Sequence, residues 1–179
     1  MQEISQLPFR NLPLFLNKFK IEKANFINEY QNWQLSNPDQ TFSNFMWNYF
    51  ESITINLSEK ARSHAELYQN MSEIYGFMLS YSLEDKKDSN LILKSKNYYE
   101  LMAHKHSGYK TFVTIIGRKD CKKCANLNYI VPIDIEIKKR SIPFTSCPFL
   151  KKGYPMCSCT YGFILERGDD GLPIKTKHK

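Results

Sequence analysis

The stretch Gly108-Tyr-Lys-Thr-Phe-Val-Thr-Ile-Ile-Gly-Arg-Lys-Asp-Cys-Lys-Lys-Cys124 separates two kinds of sequence. Before it, apolar residues recur every three or four positions, the spacing of a helix with one buried face. Within it, Tyr109 to Ile116 is rich in β-branched and aromatic side chains, which suit a pleated, half-buried strand. That strand leads into a Cys-x-x-Cys turn, and Asn128 to Ile133 reads as its return, placing Cys121 and Cys124 at the tip of a hairpin. Thr160 to Leu165 reads as a closing strand. A lone hairpin is marginal in water, so the preceding helix and a bound metal are expected to hold it. The expected fold class is α+β, an N-terminal helical bundle followed by a small zinc-stabilised β-hairpin module. Residues 1–107 form the helical region, 108–166 the zinc-binding α+β module, and 167–179 a basic tail with a turn at Gly168-Asp-Asp-Gly171 and a frayed end.

Toward the N-terminus, Leu12, Leu16, Phe19, Phe26, Tyr30 and Trp33 keep helical steps with Lys23 filling one gap, so one helix is expected up to Asn37-Pro38. A second begins near Asp39 or Thr41 and buries Phe42, Phe45, Met46, Tyr49, Phe50 and Ile53. Ser58 is the expected N-cap of a third, where Gly76 marks close helix packing. Asp88 or Ser89 caps a fourth, which turns Leu91, Tyr98, Leu101 and Met102 inward and ends in His104, Lys105 and His106 before Gly108.

Charge is unevenly divided: residues 1–90 carry a net −3 and residues 91–179 a net +10, giving +7 overall. Four thiolates on one Zn²⁺ would lower the second figure to about +8, so the basic half stays basic and suits a polyanion. The first ten residues lack the basic region and apolar run of a secretory signal, and no apolar segment reaches the ~18 residues of a membrane span. A cytoplasmic protein with no membrane partner is expected.

All five cysteines lie between positions 121 and 159. In a reducing compartment such clustering points to metal rather than disulfides. Cys121 and Cys124 are the first ligand pair, because two intervening residues reverse the chain and aim both sulfurs at one ion. Cys147, in Phe144-Thr-Ser-Cys-Pro-Phe149, is either a ligand or part of the apolar packing. Cys157 and Cys159 are expected to face opposite ways, so that one binds while the other is buried. The preferred set is Cys121, Cys124 and Cys147 with one of Cys157 or Cys159; the alternative takes both of the last two and leaves Cys147 outside. His104 and His106 are substitutes for a thiolate or partners of a helix dipole.

Pro132-Ile-Asp-Ile-Glu-Ile-Lys-Lys-Arg140 has two readings. As a helix it has Asp134 as cap, Glu136 in its first turn, and Lys138, Lys139 and Arg140 in its last. As a strand it puts Asp134, Glu136 and Lys138 on one face, where carboxylates can hold a divalent metal while the lysine assists an attacking water.

Cys121-x-x-Cys124-Ala125-x-Leu127-Asn128, then Val131-Pro132-Ile133-Asp134 and Pro155-x-Cys157-x-Cys159-Thr160, resembles the C-terminal motif of phage head morphogenesis proteins of the Mu F-like minor head type. Gly108-Tyr-Lys-x-x-Val113-x-Ile115 resembles the strand that leads into it, so the likeness covers about residues 98–162. That family places a histidine and a proline before the last cysteine pair and an arginine between those cysteines. Here Tyr154, Pro155 and Ser158 stand at these positions, so the resemblance makes Cys147 the expected substitute for the missing histidine ligand. The resemblance implies a minor capsid or portal-associated protein, and so a virion component, or a cellular relative that kept the metal module; it does not imply catalysis.

The function expected is a non-enzymatic zinc-binding protein whose basic surface meets nucleic acid or a capsid or portal partner. Lys119, Lys122, Lys123, Lys138, Lys139, Arg140, Lys151 and Lys152 supply the charge, and Tyr109, Tyr129 and Tyr154 supply stacking faces. A closed four-ligand site leaves no position for a catalytic water. The alternative is a metal-dependent nuclease using Asp134, Glu136 and Lys138.

Overall fold

The computed structural model describes residues 7–85, 89–117, 121, 129–144, 147 and 156–176. Among them the fold is α+β, six helices and one small antiparallel sheet. The helices are α1 (Leu12–Lys18), α2 (Lys23–Ser36), α3 (Phe42–Lys60), α4 (His64–Glu84), α5 (Asn90–Lys105) and α6 (Ile133–Lys139), and the strands are β1 (Thr111–Ile116), β2 (Ile130–Pro132) and β3 (Thr160–Leu165).

The first expected helix is two. Lys20 takes a positive φ of 54°, and the Ile21 amide bonds back to the Leu16 carbonyl at 2.8 Å, a left-handed cap that ends α1. Glycine usually marks such a cap, and a lysine there gives no cue. Ser58 is no cap either, since α3 runs on to Lys60 and the Ser58 hydroxyl donates to the Ile55 carbonyl. The N-cap of α4 is Ser63, whose hydroxyl accepts from the Glu66 amide at 3.1 Å while the Glu66 carboxylate accepts from the Arg62 amide at 2.9 Å. Ser63-x-x-Glu66 is a capping signature that the apolar period around Ala61 obscured. On α5 Leu93, Asn97, Leu101 and Ala103 are buried, Tyr98 and Met102 are half-buried, and Leu91, expected inward, is exposed.

Two clusters form the core. The first gathers α1 to α4 around Phe9, Phe15, Phe26, Phe45, Tyr49, Phe50 and Tyr81, whose rings meet largely edge to face, the arrangement that aligns ring edges with π-faces. Burial pushes the Tyr81 and Tyr49 phenols up to about 12. The second cluster joins Leu79 of α4 and Leu93 and Leu101 of α5 to Val113, Ile115, Ile133, Ile142, Tyr161 and four cysteines. The strand module therefore has no core of its own: α5 is one wall of it, and α4 touches both clusters.

In the sheet, β1 lies between β2 and β3, pairing Val113 with Val131 on one side and with Phe163 on the other. Thr111, Val113 and Ile115 turn inward. The described part of the tail is tied down, with the Lys110 amide bonded to the Ile174 carbonyl at 2.8 Å and the Thr176 amide to the Gly108 carbonyl at 2.9 Å. Gly168 to Gly171 form the expected turn. No described helix is long and apolar enough to cross a membrane.

Gly76 does not mediate close packing, because a Cβ built there meets nothing within 4 Å. Gly76→Ala is expected to raise stability by about 1 kcal/mol in urea unfolding, since alanine restricts the unfolded chain and costs no contact in α4.

Candidate functional site: the cysteine cluster and its buried carboxylate

Cys121, Cys147, Cys157 and Cys159 are 1–3% exposed and belong to the same apolar cluster. Cys124 lies outside the described residues. Among the described residues, no three His, Cys, Asp or Glu side chains are grouped so as to hold a metal ion. The expected opposition of Cys157 and Cys159 is not found: both are buried and Ser158 between them is exposed. Residues two apart on an extended chain share a face, so the pair points inward together just before β3.

Residues 133–139 are helical. On a helix positions 134 and 138 fall near each other, and position 136 falls on the opposite side. The exposed Asp134 pairs with Lys105, Lys138 is exposed, and Glu136 is fully buried. The shared face required by the nuclease arrangement of Asp134, Glu136 and Lys138 is therefore not formed.

Glu136 instead follows Ile133 on the inward face of α6, and its carboxylate meets four donors. Oε1 accepts from the Ser141 amide and the Tyr161 hydroxyl, both at 2.6 Å. Oε2 accepts from the Tyr129 hydroxyl at 2.5 Å and the Ser141 hydroxyl at 3.0 Å. Four donors and no second acceptor are what a carboxylate requires in an apolar interior. The Tyr161 oxygen also accepts from the Ile142 amide at 3.4 Å. Burial, then the bond to Glu136, hold the Tyr161 phenol well above its ordinary range. Sequence reasoning missed this role, although an acid three residues after Ile133 and one before Ile137 is a visible break in an apolar stripe.

The outer end of α6 carries Lys138, Lys139 and Arg140, all exposed. The Arg140 guanidinium carbon lies 4.4 Å from the Tyr98 ring centroid and the Lys139 ammonium 4.8 Å from that of Tyr129. Among the described residues none of these three cations is in an ion pair. Lys119, Lys122, Lys123, Lys151, Lys152 and Tyr154 lie outside the described residues. Tyr109 borders a cleft of about 260 Å³ shared with Lys110, Phe112, Asp134 and Glu166, whose lining contains no cysteine.

The two histidines of α5's end are placed by aromatic contacts. His104 stacks flat on Phe163 of β3, with centroids 3.6 Å apart, and His106 lies 5.3 Å from the rings of His64 and Tyr68.

No protein-family model matches this chain, and no curated protein or solved structure matches it.

Burial lowers the His104 imidazole below its ordinary value, outweighing the opposing effect of Glu100. The unfolded chain, with its imidazole near 6.5, then binds a proton before the folded one does. The stability this group contributes is full above about pH 6.5 and lost as pH falls toward the folded value. Thermal melts of the wild type and His104→Phe between pH 7.5 and 5 are expected to converge or cross as pH falls, because only the wild type loses this contribution.

Proposed function

We propose that the chain is a non-enzymatic zinc-binding protein whose basic surface engages nucleic acid or an assembly partner, as its resemblance to phage minor head proteins implies. The observation that carries the reading is the burial of four cysteines in the cluster that α6 also lines, with three cations exposed at the outer end of that helix. Thiolates are the donors that tetrahedral structural zinc prefers. Since no three described donors are already grouped, zinc uptake under this reading draws the cysteine segments onto the ion and recruits Cys124. The closed site fixes the module and leaves the chemistry of binding to the surface.

Elemental analysis of protein purified under reducing conditions is expected to give one Zn²⁺ per chain, lost in Cys121→Ser and in at least one of Cys157→Ser and Cys159→Ser. A metal-free and fully folded protein from zinc-replete cells would overturn the zinc reading. For the surface, fluorescence anisotropy with a single-stranded oligonucleotide is expected to show salt-dependent binding. Replacing Lys138, Lys139 and Arg140 with alanine should weaken it and reduce the slope of log affinity against log salt by about 2. Binding that ignores both salt and these residues would assign the surface to a protein partner instead.

A further inference from the structure

We propose that Glu136 is the positioning residue of the cysteine cluster, its carboxylate tying together the chain beside Cys147, Cys157 and Cys159. Ser141 and Ile142 precede Cys147 by six and five residues, Tyr161 follows Cys159 by two, and Tyr129 adds a donor just before β2. The four bonds to Glu136 run from 2.5 to 3.0 Å, and the Tyr161 hydroxyl passes the restraint to the Ile142 amide. Farther along the same segment, the Cys147 amide bonds to the Phe144 carbonyl at 3.1 Å. Cys121 is reached by none of these bonds; it follows the end of β1 and is an internal control.

Packing alone gives no reason for a carboxylate here. An apolar side chain of similar volume fills a buried site without a desolvation cost and often leaves a protein as stable or more so. What an apolar side chain lacks is direction. A carboxylate with four donors on Tyr129, Ser141 and Tyr161 holds those positions at set distances from α6, and Cys147, Cys157 and Cys159 take their spacing from Ser141 and Tyr161. Residues that orient ligands from behind in this way typically change metal affinity by about 10- to 100-fold when replaced.

The zinc consequence rests on the function proposed above, whereas the positioning claim does not, so the test reads both. Glu136→Gln keeps the shape but presents an amide to donors that need acceptors. Tyr161→Phe is the milder variant, removing one hydroxyl and leaving the ring. Each is alkylated with iodoacetamide in the metal-free, reduced state, and each cysteine is followed separately by peptide mass spectrometry, with helix content checked by circular dichroism. The expected result is that Cys147, Cys157 and Cys159 react about tenfold faster or more in both variants while Cys121 keeps its wild-type rate. In the same variants Zn²⁺ affinity, measured by chelator competition, is expected to fall about tenfold or more. Equal acceleration of Cys121 together with Cys147, Cys157 and Cys159 would make Glu136 a general stabiliser and overturn the proposal, as would unchanged rates. Should Glu136→Gln lose its helix content, Tyr161→Phe decides by the same pattern. A wild-type chain that takes up no zinc defeats the proposed function, and the alkylation pattern then still decides the positioning claim.

Discussion

One carboxylate buried to 0% exposure, that of Glu136, is the constraint on which the C-terminal half depends. A charged-type side chain survives in an apolar interior only when its acceptors are all met, and meeting them here requires α6, the chain after it and β3 to arrive together. The sheet alone, with a three-residue β2, is too small to hold itself. Its inner face closes on α5 and α6, and the Glu136 bonds join α6 to Tyr129, Ser141 and Tyr161. A bound metal is therefore not the only candidate for what holds the hairpin in place: a third strand, a shared helical wall and a satisfied polar group already do so.

The N-terminal half rests on a different principle. Its core is aromatic and its rings meet largely edge to face, with polar contacts at its margin such as the Trp47 indole donating to Asp85 at 3.2 Å. The two halves join through α4, 21 residues long and so roughly 31 Å from end to end, which places Ile74 and Tyr81 in the first cluster and Leu79 in the second. This sharing explains why the change of sequence character at Gly108 is not a boundary in the core. Secondary structure changes there, while burial continues from α5 into β1.

The helical character of the chain before Gly108 and the strand positions were legible because they follow from apolar spacing, which needs no partner to be read. Helix ends were less so. Lys20 takes a conformation usually left to glycine, and the Ser63 cap sits beside Ala61, which continues the apolar period past the real break. At the candidate site, the cysteines and the exposed cations of α6 were visible as residue types. The direction of Cys157 and Cys159 was expected wrongly: residues two apart on an extended chain share a face, so both turn in and Ser158 turns out.

By itself, the sequence determined the α+β class, the run of helices before the strands, the concentration of cysteines and the basic character of the second half. These are one-dimensional properties of periodicity and composition. The tertiary structure alone decided between a helix and a strand for residues 133–139, and with that choice the fate of Glu136. On a strand it would share a face with Asp134 and Lys138; on α6 it turns away from both, into Tyr129, Ser141 and Tyr161. A seven-residue stretch satisfies either period, and only the surfaces it packs against settle which one is formed.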